Sequence, residues 1–383
     1  MMEVDHEKLC LYWLLEDKPF SEITMEDEVV LGGEEGMLKL GAIVGNPPYQ
    51  EIIGSRANKS LSKQLYPSFI TIAIKLQPKY LSLITPSRWF TGNAQDRSFV
   101  TLREFLRANN HFSHIINYLN SSEVFGDVSV PGGVNYFLYQ NGYSGEINFT
   151  EMSKENKTVV KRPLFEEGLD VVLPMNRMIS ILRKVTAGNF KSMEEIVTGR
   201  NPFGIPATDA SLNRITTTTP DMTHNTIILC AYEEIKYISS DEIKRNKELS
   251  KKWKVFTSKM NGGAGTLLDD KVVAILGRTF VMGPDSICSN TLLAVGNFDN
   301  QLEADNLNKY MNTKFFRFML GIKKIAQVLT SNIYSFVPQQ NFNSNSDIDW
   351  GKTIPEIDTQ LYAKYDLDQD EIDYIESRIK SVE

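Results

Sequence analysis

Two consecutive prolines close an apolar run near the start of the chain. In residues 38–54, LKLGAIVGNPPYQEIIG, positions 40–45 read as a short buried strand, and Asn46-Pro47-Pro48-Tyr49 follows at once. Neither proline carries an N–H, so the segment cannot continue as a central strand. The residue before each proline is pushed to extended geometry. The chain must leave the sheet here as a stiff loop whose carbonyls point in fixed directions. Asn46 adds a side-chain acceptor, and Tyr49 adds a flat aromatic face.

Further strands are expected at residues 80–85 (YLSLIT), 114–119 (HIINYL) and, after Gly132-Gly133, at 134–139 (VNYFLY). Between them, Leu65, Phe69, Ile72, Ala73 and Leu76 recur at helical spacing, as do Phe99, Leu102 and Leu106. Pro78 and Pro86 end the first helix and the second strand. This alternation predicts an α/β fold with crossover units on a largely parallel sheet. Such sheets place ligands at the carboxyl ends of their strands, and Asn46 lies at one of those ends. From about residue 171 the rhythm changes to short segments between turn-rich pieces such as TGRNPFGIP and KMNGGAGT. Leu307, Met311, Phe315 and Phe318 then predict one strong amphipathic helix. Asp368 with Glu371 three residues later is a helix-start signal, ahead of Ile372, Ile375 and Ile379 on one face.

The 383 residues allow two or three domains. No run approaches 18 apolar residues, so no membrane span is expected. The first residues carry acids and no clean apolar core, unlike a signal peptide. Cys10, Cys230 and Cys288 are far apart and make neither a metal spacing nor a disulfide framework. A reducing cytoplasm is the expected setting.

The net charge of −7 is local. Residues 341–383 hold eleven acids and four bases, so the remainder is balanced at 37 of each. Residues 243–259, IKRNKELSKKWKVFTSK, carry seven bases against one acid. Local patches, not the total, decide phosphate binding, although a solvated helix face reads the same way.

Two fixed acceptors beside a stacking surface suit a planar group bearing an NH2, such as the exocyclic amine of adenine. That amine can donate to the Asn46 side chain and to the Pro47 carbonyl. Donating both draws it towards tetrahedral geometry and frees its lone pair. Pro48 keeps the loop rigid, and Tyr49 can stack on a base taken out of the duplex. Phe137, on one side of its strand with Asn135 and Tyr139, either packs in the core or covers the base's other face.

The stretch IVGNPPY resembles the catalytic motif of adenine-N6 DNA methyltransferases of bacterial restriction–modification systems. LSLITPSRWF and SEVFGDVSVPGGVNYFLYQNG are similar to the strands that follow in that family. TGRNPFGIP, the basic run, TKFFRFML and YSFVPQQNF resemble the recognition domain and tail of its bifunctional, type IIG-like members. The resemblance implies a partial Rossmann-like methyltransferase sheet with the catalytic loop over residues 1–170. A mixed α+β target-recognition domain would occupy 171–335 and a helical tail 336–383. It implies methyl transfer from S-adenosylmethionine to a flipped-out adenine in double-stranded DNA, with Asn46, Pro47, Pro48 and Tyr49 catalytic and no metal.

Family members bind the cofactor through a glycine loop well upstream of the motif. Here Gly32, Gly33 and Gly36 form the sole upstream cluster, read as a turn, and no cofactor-binding residue is assigned. A separate polypeptide supplying that half, or self-association, is the expected remedy. A DNA-binding specificity module without activity and a truncated remnant acting as an interaction protein are the rival readings. DNA contacts are expected from Arg200, Lys244, Arg245, Lys251, Lys252 and Lys259, with Gly262, Gly263 and Gly265 allowing close backbone approach. Asp221, Glu234 and Lys236 have the loose outline of a nuclease site, and His111 with His114 is the only close histidine pair. Neither is expected to be a centre of chemistry.

Overall fold

The computed structural model describes residues 40–382 apart from 53–61, 93, 95, 127–129, 131, 155, 189, 206–208, 230–233, 260–266, 268–271 and 325–328. It divides into two compact units, residues 1–176 and 177–383.

In the first unit, β1 (Ala42–Gly45) runs into the proline loop. A small antiparallel hairpin follows, β2 (Gln50–Ile52) with β3 (Ser62–Gln64). Helix α1 (Tyr66–Lys75) is buried almost all round, from Tyr66 to Ile74. Pro67 sits in its first turn, where a missing N–H costs nothing. Then come β4 (Tyr80–Pro86), a helical turn Ser87–Phe90, α2 (Ser98–Ala108), β5 (Phe112–Tyr118) and the one-turn α3 (Ser122–Phe125). Three strands complete the sheet: β6 (Val134–Gln140), β7 (Ile147–Met152) and β8 (Lys157–Arg162).

The spatial order is β1-β4-β6-β5-β7-β8. The largely parallel sheet expected from the alternation is a mixed one. Only β1/β4 and β5/β7 pair in parallel, while β6 is antiparallel to both β4 and β5, and β8 to β7. The cause is the turn at Gly132-Gly133, which sends the chain straight back between β4 and β5. Gly133 has φ +80°, and a Cβ there would lie 2.1 Å from the Tyr118 carbonyl oxygen, so only glycine fits. β1, β4, β5 and β7 still run the same way. Val134 faces both Pro86 and Tyr118, so the carboxyl ends of β4 and β5 meet the start of β6 at one end of the sheet. Leu81, Trp89, Phe99, Leu102, Phe112, Phe137 and Phe149 lead the core beneath this end.

The second unit opens with helix α4 (Asn176–Thr186). Its elements are α5 (Asp209–Asn213), β9 (Thr216–Thr217), β10 (Thr226–Leu229), β11 (Ile235–Ile238), α6 (Lys247–Ser250), β12 (Trp253–Ser258), β13 (Thr279–Met282), β14 (Ser286–Cys288) and β15 (Leu292–Phe298). They form a four-stranded sheet, β14-β10-β11-β9, and a three-stranded one, β13-β12-β15. Helices α7 (Gln301–Asn312), α8 (Lys314–Lys323), α9 (Ile354–Lys364) and α10 (Gln369–Arg378) close the chain.

The single amphipathic helix expected across Leu307–Phe318 positions is two helices, α7 and α8, broken at Thr313. Thr313 is extended, and its hydroxyl accepts from Phe316 N. The buried Asp358 carboxylate takes the next two amides, Lys314 N at 2.9 Å and Phe315 N at 2.8 Å. Asp368 and Glu371 make the expected capping box at the start of α10. Among the described residues, no helix is long and apolar enough to cross a membrane.

Candidate functional site

β1 pairs with β4 from Ala42 opposite Tyr80 to Gly45 opposite Leu83, and the chain then leaves the sheet while β4 continues to Pro86. Asn46 and Pro48 are exposed, Pro47 is buried and Tyr49 is half-buried. The loop is therefore anchored at its second and fourth residues and open at its first. Among the described residues, no partner is recorded for the Asn46 side chain or for the Pro47 carbonyl. Among the described residues these two acceptors at the carboxyl end of a strand take no partner.

Tyr49 is held from both sides. Its carbonyl accepts from Leu65 N at 3.1 Å, just before α1. Its ring meets that of Tyr66 edge to face, with centroids 6.3 Å apart. Burial pushes the Tyr49 phenol above its ordinary pKa, and its hydroxyl is buried with no partner among the described residues. The phenol therefore stays neutral near pH 7 and serves the site as an aromatic surface.

Beside this loop, the turn after β4 is built on buried polar groups. Ser87 Oγ donates to Asn117 Oδ1 at 2.7 Å, and Asn135 Nδ2 donates to Ser87 Oγ and to the Thr85 carbonyl, each at 3.2 Å. Asn117 Nδ2 donates to the Pro174 carbonyl at 3.1 Å. The buried Arg103 donates through Nη1 to the Trp89 and Gly92 carbonyls at 2.8 and 2.9 Å. These bonds tie the turn to β5 and β6, while Asn135 Oδ1 and Thr85 Oγ1 are buried without a partner among the described residues. Sequence reasoning missed this network, because Ser87, Asn117 and Asn135 meet only through sheet pairing. Polar residues inside otherwise apolar strand ends were the available signal.

Phe137 is placed differently from a base-stacking role. It is 1% exposed, and its ring packs edge to face on Phe112 with centroids 5.0 Å apart. Period-two alternation puts it on the core face with Asn135 and Tyr139, so it offers no open ring.

In the second unit, the turn-rich piece and the basic run come together. Lys244 N and Arg245 N both donate to the Phe203 carbonyl, at 3.0 and 3.2 Å, and Asn246 Nδ2 donates to Pro202 O at 2.7 Å. Arg200, Lys244, Arg245 and Lys247 are exposed around this junction. Lys244 is 3.9 Å from Glu242, while Lys251 pairs with Asp285 and Lys252 with Asp299. Lys259 is half-buried, and its carbonyl accepts from Leu329 N at 2.8 Å. Gly262, Gly263 and Gly265 lie outside the described residues, as do Gly32, Gly33 and Gly36.

Lys254, within the basic run, is a core residue. It donates to the carbonyls of Ser250, Lys252 and Gly283, and burial pushes its ammonium down to about 7. The nuclease outline does not assemble: Lys236 pairs with Glu234 at 3.1 Å, whereas Asp221 pairs with His224 at 2.9 Å. His111 contacts the Tyr143 carbonyl and His114 contacts Ser113 Oγ. Among the described residues, no group of three His, Cys, Asp or Glu could hold a metal ion.

Residues 14–125, which include the proline loop and the turn after β4, match the Eco57I restriction-modification methylase family. A curated protein of Mycoplasma pneumoniae, described as an uncharacterized adenine-specific methylase, is 32% identical over 178 residues, covering 44% of this chain and 42% of that protein. The type IIG restriction endonuclease BpuSI aligns over 94% of this chain and 54% of its own, at 15% identity and a TM-score of 0.38. The type IIL enzyme MmeI, solved in complex with DNA, aligns over 87% and 56%, at 10% identity and a TM-score of 0.36. The chain thus spans about half the length of these relatives or less.

Proposed function

We propose that this chain is an adenine-N6 DNA methyltransferase of a restriction–modification system. The observation that carries the reading is the pair of acceptors at the end of β1, the Asn46 side chain and the Pro47 carbonyl, which have no partner among the described residues and lie next to the anchored ring of Tyr49. The methylase family match over the same residues supports it.

In this reading an adenine leaves the duplex and its ring lies against Tyr49. The amine donates one hydrogen to Asn46 Oδ1 and the other to Pro47 O. Both acceptors are preset by the loop, so positioning and electrostatic pull are supplied without reorganisation. The two hydrogen bonds localise the lone pair on N6, which becomes the nucleophile. Pro48 has no N–H and a fixed φ, which keeps the Pro47 carbonyl from turning away.

S-adenosylmethionine would supply the methyl group. The Asn46–Pro47–Tyr49 loop would serve the half of the site facing the base, and no glycine loop for the donor lies among the described residues. On the first unit's sheet β1 is the outermost strand among the described residues, and Val44 on it is 76% exposed. That edge favours a complement: a segment outside the described residues, a separate polypeptide or a second copy, pairing there to complete the donor site. The second unit, with Arg200, Lys244 and Arg245 exposed at one junction, is the proposed DNA-recognition part.

Incorporation of labelled methyl groups into adenine-containing DNA tests this, with the chain alone and with the product of the adjacent upstream gene. Incorporation abolished by Asn46→Ala is expected. DNA binding without incorporation under either condition would leave a specificity module instead.

A further inference from the structure

Arg88 sits in the turn that follows β4 directly. Because β4 is the parallel neighbour of β1, this turn and Asn46 leave the sheet at the same end. The Arg88 side chain is exposed, and no carboxylate partner is recorded for it among the described residues. Its guanidinium lies 5.9 Å from the centroid of the Phe99 ring. Phe99 packs on Tyr66 at 5.8 Å, and Tyr66 on Tyr49 at 6.3 Å. A row of three rings therefore links this cation to the tyrosine of the proline loop.

The backbone beneath Arg88 is locked. Ser87 N donates to Gly133 O at 2.9 Å, Gly92 N donates to Arg88 O at 2.7 Å, and Arg103 grips the next carbonyl, that of Trp89. Gly132, with φ +85°, makes room for the stem: a Cβ there would stand 3.0 Å from Arg88 Cγ. An exposed guanidinium with an aromatic face under it and a fixed root is preorganised for an oxyanion that presents two oxygens, which it can grip with two parallel bonds.

Two anions could meet it, the phosphate beside an extruded nucleotide and the carboxylate of the methyl donor. Arg88 also adjoins Gly132, which leads into β6, and β6 lies on the other side of β4 from β1. With the base held at this same sheet end, the anion nearest to hand is the nucleotide's own phosphate. We propose that Arg88 binds the DNA backbone phosphate next to the adenine held by Asn46 and Pro47, so that base and phosphate are gripped from one rigid sheet end. The proposal rests on the methyltransferase reading. A phosphate contact of this kind fixes the register of the strand and offsets the cost of extrusion.

The test is the salt dependence of binding of the full chain to a labelled mixed-sequence duplex, with the Michaelis constant for S-adenosylmethionine measured in parallel. Arg88→Ala is expected to lower the slope of log K against log salt by about 0.9, and Arg88→Lys to restore it. Arg88→Gln keeps the stem and guards against a packing defect. An unchanged slope in both neutral variants overturns the proposal. So does a raised constant for S-adenosylmethionine at an unchanged slope, which assigns Arg88 to the donor carboxylate. Asn46→Ala reports separately on the underlying reading. If the wild-type chain incorporates no methyl groups, alone or with the upstream gene product, while Arg88→Ala still lowers the slope, the methyltransferase reading fails and Arg88 stands as a phosphate contact.

Discussion

The carbonyl of Tyr49 accepts the amide of Leu65 at 3.1 Å, which closes the hairpin arm β2–β3 and ties the proline loop to the first turn of α1. One residue later Tyr66 brings its ring against that of Tyr49. The loop's geometry is therefore set by a residue far along the chain as well as by its own prolines.

The Tyr49 hydroxyl is buried without a partner among the described residues, so no hydrogen bond to them is lost with it. Tyr49→Phe is expected to keep methyl transfer and to change stability by less than about 1 kcal/mol. Tyr49→Ala removes the ring and is expected to lower transfer at least tenfold, of the order of one lost stacking contact. Denaturation and labelled methyl incorporation on the same preparations check both.

The Ser87–Asn117–Asn135 network is fully buried. Asn117→Ala leaves the Ser87 hydroxyl proton without its acceptor and the Pro174 carbonyl without its Asn117 donor, at a cost of about 1–3 kcal/mol. A double-mutant cycle of Ser87→Ala with Asn117→Ala is expected to show coupling of at least about 0.5 kcal/mol, read from denaturant midpoints. Additive effects would mean that the pair does not act together.

Gly133→Ala puts a methyl group against the Tyr118 carbonyl at a positive φ. A loss of about 2 kcal/mol or more is expected, because backbone rather than a flexible side chain must move. Gly142 also has positive φ, but nothing lies within 4 Å of a Cβ built there, so Gly142→Ala should cost less. Comparing the two thermal midpoints separates collision from strain.

Lys254 gives the second unit a pH dependence. Burial holds its ammonium near 7, well below an unfolded lysine, against the pull of three carbonyls that favour the charged form. Between about pH 7 and pH 10 the unfolded state binds more protons, so this contribution to stability grows as pH rises. It is lost as pH falls through 7. Lys254→Met is expected to flatten that rise in chemical denaturation followed at several pH values. Asp358 acts in the opposite sense: burial raises its carboxyl to about 7, so its contribution is present near pH 4 and lost as pH rises through 7.

Exposed cations without ion pairs should matter most for DNA. Arg245→Ala is expected to lower the salt slope of binding by about 0.9. Lys251→Ala and Lys252→Ala should change it less, since Asp285 and Asp299 already neutralise them. Equal effects from all three would remove this ranking.

The proline loop was legible from residues 40–49 because its physics is local. Two missing N–H groups and two fixed torsions end a strand wherever they occur. The helices α1 and α2 and the strands β4, β5 and β6 were legible for the same reason, since their periodicities lie within single segments. The capping box of α10 was legible too, being a four-residue affair.

Pairing was not local, and it decided the rest. Whether β6 lies beside β4 antiparallel or further out depends on a return turn at Gly132-Gly133 that only the close approach to Tyr118 explains. The strands β7 and β8 went unread because their alternation is half polar, and only the sheet gives it a buried side. Phe137 could face the core or a ligand by its own segment, and its neighbour Phe112 settled that. Lys254 stood as one more base in a run of seven until the carbonyls around it made it interior. Short-range sterics are written in consecutive residues, whereas burial is a property of what distant segments bring together.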